Sequence, residues 1–331
     1  MWNMALQADL KLVEHDDEGI DLAFRADVLR GLAEQQKAVP ARWLYDLAGS
    51  RLFEEITALP EYYPTRAETR LLKAHGAEIA RLMASDLAVV EFGSGSSIKT
   101  PLLLRELAAA AYIPVDISGE FLREAASALA AQFPDVAIIP VEADFLRAVQ
   151  LPDCTKTLSY LGFFPGSTIG NLVPGSAVDL LRSMRETLGE GSRLLIGIDC
   201  LKDTSRLVAA YDDAQGVTAA FNLNLLDRIN RELEGDIPVR QFRHLAHWNQ
   251  DWRRIEMHLE AIADMSFTVS GRPFAMRAGE TIHTENSHKY TPDQVRLMLQ
   301  AGGWTPARLW TDPSGDFLLA LAEATEQRSA P

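Results

Sequence analysis

The chain has 331 residues, 47% hydrophobic and 24% charged, a globular composition with room for one large domain or two smaller ones. Its formal net charge is −14 and its basic residues are scattered, which argues against the basic patch of a nucleic-acid binder and against an anionic membrane surface. No apolar run approaches the ~20 residues that span a bilayer, and the opening MWNMALQADLKLVEHDDEG lacks the basic flank and apolar core of a secretory leader. Two cysteines, Cys154 and Cys200, are too few for a disulfide framework, so a cytoplasmic protein with reduced thiols is expected.

Residues 1–20 are acidic and expected to fray. From Asp21 to about Gln36 a stripe of Leu22, Val28, Leu29 and Leu32 predicts a helix, broken by Pro40. Residues 42–64 are dense in aromatics, with Trp43, Tyr45, Phe53, Tyr62 and Tyr63, most of them expected in a core. Tyr62 and Tyr63 precede Pro64, which favours an extended residue before it and would point the two phenols in opposite directions. A helix over 65–83 leads into strands at 88–92, 112–116, 137–141, 157–164 and 193–199. Helical patterns near 98–110, 119–132 and 175–188 separate them, and the alternation predicts a parallel sheet. After Asp199 the rhythm stops: 202–233 reads as two helices and 239–269 as strands. It resumes with a helix at 292–301 and strands at 305–311 and 316–322 joined by the turn signal DPSG. The expected organisation is a nucleotide-type domain from 65–199 and 288–323, and a second domain from 20–64 and 200–287.

The first strand carries an acid, Glu91, and runs into Gly93-Ser94-Gly95-Ser96-Ser97, with a helical pattern from Ile98. Glycine lets such a turn take positive φ and lets a ligand reach bare backbone, and the helix start behind it favours negative charge. A dinucleotide fingerprint would need a third small residue where Ile98 stands. An E-x-G-x-G turn, with Glu91 two residues before Gly93, suits S-adenosylmethionine instead. A βα turn with no ligand also fits this stretch taken alone.

Ligands of this fold lie beyond the carboxyl ends of the strands. The second strand ends in Asp116, 21 residues after Gly95, a spacing that suits a carboxylate accepting from ribose hydroxyls. The third leads to Asp144-Phe145, an acceptor for an adenine amino group beside a ring that can stack on it. The fourth ends in FFPGSTIGNL, where Gly166, Ser167, Thr168, Gly170 and Asn171 form a polar loop at the centre of the sheet edge. Asn171 offers one acceptor and two donors. A turn and helix cap is the plainer role for Ser167 and Thr168.

Across most of its length, from about Asp21 to Ala322, the chain resembles the histidine-specific S-adenosylmethionine-dependent methyltransferases. The stretches that carry the resemblance are WLYDLAGSRLFEEITALPEYYPTR, EFGSGSSIKT, PGSTIGNL, AYDDAQGVTAAFN, RIEMHL and ETIHTENSHKY. Members make trimethylhistidine (hercynine), the first step of ergothioneine biosynthesis. The resemblance implies a Rossmann-like class I methyltransferase domain, mostly parallel with an antiparallel terminal strand, plus a smaller α+β substrate domain. It implies S-adenosylmethionine as co-substrate held by Tyr45, Gly93, Lys99, Asp116, Asp144 and Phe145, with Lys99 pairing the methionine carboxylate. It assigns Tyr62, Gly166, Asn171 and Tyr211 to the amino and carboxylate groups of the amino acid, and Met257, Glu285 and Ser287 to the imidazole ring.

The chemistry agrees with that assignment. In-line transfer from a sulfonium needs an uncharged, aligned amine, and desolvation beside a cation disfavours the ammonium. Tyr62 and Asn171 are the candidates for orienting it, the proton leaves through water, and aromatic faces such as Tyr62 or Phe53 tolerate a quaternary product. Glu285 and Ser287, two apart, share one face of a strand, so a carboxylate and a hydroxyl meet the imidazole together. The expectation is a monomer acting on L-histidine and its partly methylated forms, with no metal, nucleic acid or membrane partner. Alternatives are a relative acting on another amino acid such as tryptophan, a non-catalytic S-adenosylmethionine-binding protein, and a nicotinamide oxidoreductase, disfavoured by Ile98. His244 and His247 have helical spacing and no acid or cysteine cluster in sequence, so metal binding there is not expected. His283 and His288 read as surface or supporting residues, and LLDRINRELEG as an ordinary amphipathic helix.

Overall fold

The computed structural model describes residues 21–95, 99–117 and 119–324; the stretch expected to fray and the helix start at Ile98 lie outside the described residues. Helix α1 (Leu22–Ala33) begins where Asp21 accepts from the Ala23 and Phe24 N–H groups at 2.9 and 3.0 Å, satisfying two of the donors a helix start leaves open. It stops short of Gln36 because the chain straightens into β1 (Lys37–Ala38), which pairs in parallel with Ile282 and His283. A 3₁₀ turn at Ala41–Leu44 and α2 (Leu47–Ala58) follow. Helix α3 (Tyr63–Leu82) starts earlier than expected: Tyr63 is its first residue, not an extended one, with Pro64 in the first turn, where its missing N–H needs no partner.

Then come β2 (Leu87–Phe92), α4 (Thr100–Leu104), β3 (Ala109–Asp116), α5 (Gly119–Gln132), β4 (Ala137–Ile138), β5 (Val141–Glu142), β6 (Ser159–Phe164), α6 (Pro174–Leu188) and β7 (Arg193–Asp199). The helix expected over 98–110 is cut short by β3, and the strand expected over 137–141 is two short pieces, both paired with β3. The interruption holds α7 (Thr204–Ala209), α8 (Val217–Glu232), β8 (Phe242–Asn249), β9 (Arg254–Ala261), β10 (Met265–Val269), β11 (Arg272–Met276) and β12 (Thr281–His288). The chain closes with α9 (Pro292–Ala301), β13 (Trp304–Thr311) and β14 (Phe317–Ala324).

The main sheet has the order β13-β14-β7-β6-β2-β3-β4, with β5 also on β3. Pairs from β4 to β7 are parallel; β14 is antiparallel to β7 and β13 to β14. Strand order reverses at β2, which opens a crevice at the carboxyl ends of β2 and β6. This is the Rossmann-like methyltransferase arrangement, with its antiparallel terminal pair. Alternate residues of β2 enter two different apolar cores, Ala88, Val90 and Phe92 one and Leu87 and Val89 the other, so both faces of the sheet are covered. A second sheet has the order β1-β12-β9-β8. Its core joins Phe24, Trp43 and Leu44 from the N-terminal segment to Phe221, Leu225 and Leu259 from the interruption. Among the described residues no helix is long and apolar enough to cross a membrane.

One acid breaks the apolar run of β2. Glu91 is buried, and one of its carboxyl oxygens accepts from the Thr100 and Tyr112 hydroxyls. Burial pushes this carboxyl up to about 7 against those two donors. Glu91 thus ties β2 to β3 and α4 beneath the glycine turn and takes no place on its ligand side. Replacing Glu91 by Ala removes the acceptor both hydroxyls share, at a cost of about 1–3 kcal/mol per buried group left unmatched. Thermal unfolding of Glu91→Ala is expected at a clearly lower temperature than that of Glu91→Gln, which keeps an acceptor; equal melting of the two variants would contradict this role.

Candidate active site

The turn after β2 is held by its neighbours on β3. Gly93 and Ser94 N–H groups donate to the Val115 carbonyl at 2.8 and 3.2 Å, and Gly95 N–H donates to an Asp116 carboxyl oxygen at 2.9 Å. Gly93 has φ +67°, and a Cβ there would sit 3.1 Å from the Phe145 ring. Glycine suits this turn on both counts, a backbone in the left-handed region and a close approach of the ring. Phe145 is propped edge-on by Phe164, with centroids 5.8 Å apart. Asp144 accepts from Leu146 N–H at 3.0 Å and lies 3.4 Å from Arg42, which reaches across from the N-terminal segment. Gly93, Asp116, Asp144 and Phe145 therefore gather along the β2, β3 and β5 edge. Tyr45 stands apart from them and lines the neighbouring cavity, where it hydrogen-bonds Glu285.

That cavity, ≈ 460 Å³ including its mouth, lies where the β6 loop faces the second sheet. All seven residues expected to hold an amino acid line it: Tyr62, Gly166, Asn171, Tyr211, Met257, Glu285 and Ser287. Two features of the chain bring them together. The loop after β6 reverses through Gly166 at φ +81° and Ser167 at φ +61° into a 3₁₀ turn that ends at Asn171. In β12, the pairing with β9 skips Thr284, so that Glu285 faces Met257 and Ser287 faces Ile255. This bulge reverses the parity of the strand: Ile282 points into the core on one side of it, and Glu285 and Ser287 point into the cavity on the other. The Thr284 hydroxyl donates to the Met257 carbonyl at 3.1 Å and holds the bulge.

The walls are aromatic and neutral. Tyr45, Tyr62 and Tyr211 have phenols held well above their ordinary values, first by burial and then by nearby acids and one another. Phe53 packs edge-on between Tyr45 and Tyr62, at centroid distances of 5.5 and 6.1 Å. Into this box projects Glu285, whose carboxyl burial pushes up to about 7 although Lys289, Tyr45 and Asn171 favour its ionised form. Asn171 Nδ2 donates to it at 3.1 Å, so the residue expected to orient the amine also touches the residue expected at the ring.

Sequence reasoning passed over the charges that hold the site. Glu68 on α3, fully buried, accepts from the Gly166 N–H at 3.0 Å and pairs with Lys99. Lys99, expected at a cofactor carboxylate, is thus already fixed by an acid, and it lies 3.6 Å from where a Gly166 Cβ would be. The Lys99–Glu68–Gly166 link joins the glycine turn to the cavity. A charged residue inside the buried stripe Pro64, Ala67, Leu71 and Leu72 was the available signal. Asp199, at the end of β7, accepts from Tyr63 at 2.8 Å and from Lys202 and Lys289 at 2.5 and 2.7 Å; an acid at a fifth strand end was readable by the rule applied to the others.

The histidines take other places. His244 and His247 lie on β8, the strand expected there, where a spacing of three puts them on opposite faces. His244 bonds the Tyr211 carbonyl at 2.8 Å behind the cavity. His247 and His258 both approach one Glu256 oxygen, at 3.3 and 3.2 Å, on the far face of the sheet. Among the described residues this is a group whose spacing could hold a metal ion. Its two rings are stacked within 22° of parallel, and Arg254 sits on the other oxygen of the same carboxylate at 2.6 Å. His288 is buried, not at the surface, and bonds the Trp252 carbonyl.

The turn yields a direct test. Gly93→Ala puts a side chain at positive φ and against Phe145, so affinity for S-adenosylhomocysteine is expected to fall by about tenfold or more, the equivalent of roughly 1–2 kcal/mol of left-handed strain. Calorimetric titration reads it, and an unchanged affinity would remove the Gly93–Phe145 cradle from the ligand site.

Comparison with known proteins bears on the whole chain. The family described as "Histidine-specific methyltransferase, SAM-dependent" matches residues 24–324. The chain is similar to the histidine N-alpha-methyltransferases of Mycolicibacterium smegmatis and Mycobacterium tuberculosis, each 43% identical over 307 residues, covering 91% of this chain and 94% and 95% of theirs. It is also similar to ergothioneine biosynthesis protein 1 of Neurospora crassa, 29% identical over 83% of this chain and 32% of that one. With the family match running from α1 to β14 and the cavity residues in place, the chain belongs to the histidine-specific, S-adenosylmethionine-dependent methyltransferases.

Proposed function

We propose that this enzyme trimethylates the α-amine of L-histidine to hercynine, the entry step to ergothioneine, with S-adenosylmethionine as methyl donor. The observation that carries the reading is the pairing, in one cavity, of Glu285 and Ser287 beside Asn171 and three neutral phenols. A neutral imidazole has one N–H and one bare nitrogen. Glu285 accepts from the first, and the Ser287 hydroxyl donates to the second. An indole has no second ring nitrogen and would leave Ser287 unmatched, which speaks against a tryptophan-type substrate.

S-Adenosylmethionine, when bound, supplies an electrophilic methyl whose C–S bond breaks as the N–C bond forms. The chain's residues do the rest by placement. The Gly93 turn, Asp116, Asp144 and Phe145 suit the nucleoside, and Lys99 suits the amino-acid end of that molecule. Tyr62 and Asn171 flank the place for the substrate amine, where loss of water lowers the affinity of the amine for its proton. The three phenols are too weakly acidic to become bases, so the released proton goes to water. Phe53 and Tyr62, whose rings meet edge-on, offer faces to a quaternary ammonium product. The cavity is complete within one chain, which supports a monomeric catalyst, and no step calls for a metal. Cys154 and Cys200 are both free, in keeping with a cytoplasmic setting. We further take 65–199 with 288–323 and 20–64 with 200–287 as two domains whose closure encloses the substrate.

Mass spectrometry after incubation with S-adenosylmethionine and each amino acid in turn tests the reading: histidine alone should gain three methyl groups. Methylation of a different amino acid would overturn the assignment of Glu285 and Ser287. A second expectation concerns pH. Because burial holds the Glu285 carboxyl at about 7, it takes up a proton as pH falls through that value and becomes a neutral, weaker acceptor for a ring N–H. Histidine's own titration is common to wild type and Glu285→Gln. The ratio of their kcat/KM values should therefore decline from roughly pH 8 to roughly pH 6, since kcat/KM reports the free enzyme; a flat ratio would show that Glu285 ionisation is not used.

A further inference from the structure

Lys289 follows β12 at the point where the chain returns from the second sheet to the first; its neighbour Tyr290 bonds the Asp199 carbonyl from its own N–H at 3.2 Å. Its side chain is fully buried. A lysine nitrogen carries three hydrogens and no acceptor, and here three acceptors surround it: Asp199 Oδ2 at 2.7 Å, Ser287 Oγ at 2.7 Å and the Tyr211 hydroxyl at 3.0 Å. Ser287 and Tyr211 are themselves 2.6 Å apart. Asp199, the anchor of this lysine, is held in turn by Tyr63 and Lys202.

The hydrogen count of this triangle is closed. Each hydroxyl has one hydrogen and two lone pairs, and each already accepts from Lys289. Between Ser287 and Tyr211 one hydrogen bond forms, which uses one of their two hydrogens. The hydroxyl that receives it has both lone pairs filled and a single hydrogen left. A phenol is the stronger acid and the better donor, so Tyr211 donates to Ser287, and the remaining hydrogen belongs to Ser287, which lines the cavity. Without the lysine, Ser287 could turn and accept, and the same wall would tolerate a ring N–H in either orientation.

We infer that Lys289 is a specificity-determining positioning residue: by donating to both Ser287 and Tyr211 it makes Ser287 a donor only, so that the wall beside Glu285 admits a ring with a bare nitrogen. The inference rests on the histidine reading above. Lys289 does not touch the substrate itself; it acts through Ser287, and its anchor on Asp199 lies in the main sheet, outside the cavity lining.

The test compares two ligands of similar shape, L-histidine and L-β-(2-thienyl)alanine, whose ring has no nitrogen. Their affinities are measured by calorimetry in the presence of S-adenosylhomocysteine for wild type and Lys289→Met. The expected result is a loss of about tenfold or more for histidine, the usual worth of a directed hydrogen bond, with thienylalanine affinity unchanged. Should Lys289→Met leave Asp199 too exposed to an uncompensated charge to fold, the double variant Lys289→Met with Asp199→Asn removes both and is read in the same way. Equal losses for the two ligands would mean a general distortion of the cavity and overturn the inference, as would unchanged histidine affinity. Failure of the wild type itself to bind histidine would overturn the parent reading and this one with it, an outcome distinct from both.

Discussion

Much of the site hangs on one buried carboxylate. Asp199 ends β7 in the main sheet and accepts from Tyr63 at the start of α3, from Lys202 and from Lys289 at the end of the second sheet. Its own N–H donates to Ser167 Oγ at 2.9 Å, which fixes the loop that carries Gly166 and Asn171. Burial pushes the Asp199 carboxyl up, but the Lys289 and Lys202 ammoniums prevail and hold it below its usual value. A buried ion pair of this kind adds little net stability, because two charges have left water, yet breaking it from one side costs about 3–5 kcal/mol. Its value lies in geometry: the start of α3, the loop after β6 and the end of β12, all distant in sequence, meet at the end of β7.

The cavity shows the opposite balance. Its walls carry phenols, apolar rings and neutral polar groups, and among the described residues no cationic side chain hydrogen-bonds the acid that enters it, Glu285. Burial therefore dominates and raises it, whereas Asp199, a short way along the same network, is lowered by two ammoniums. The contrast is functional. On the proposed reading, an acid poised near neutrality suits a hydrogen bond from an uncharged ring without a full counter-charge, while the ionised Asp199 gives the lysines a fixed reference. Between them Lys289 links the ionised anchor to the neutral recognition surface. On the other side of the cavity the Glu68–Lys99 pair does the same for the glycine turn, through the Gly166 N–H.

Several parts of this were legible in the chain alone. The order of strands and helices, the closing DPSG turn and the glycine turn follow from local periodicity and from residues with strong backbone preferences, while the antiparallel end of the sheet came with the family resemblance. Glu91, Asp116 and Asp144 were identifiable because acids at strand ends in this fold collect at one edge, although Glu91 proves to face the core. The motifs in the N-terminal segment, the β6 loop and β12 carried the family and, with it, the seven cavity residues. Tyr63 misled, because a residue before proline prefers an extended backbone, and here the helix start overrides that preference.

What the sequence by itself determined was the identity of the elements and of the side chains offered to a ligand, since both depend on residues near one another in the chain. Tertiary structure alone decided how those side chains are held and aimed. The pairing of β1 with β12, the bulge at Thr284 that turns Glu285 and Ser287 toward the cavity, and the contacts of Glu68 and Lys289 all join residues far apart in sequence. A charged residue in a helix or after a strand reads as solvated until its partners are known. Glu68 is buried because the fold places a backbone donor and a lysine around it, and Lys289 because the fold places three acceptors around it, and no local pattern encodes those meetings.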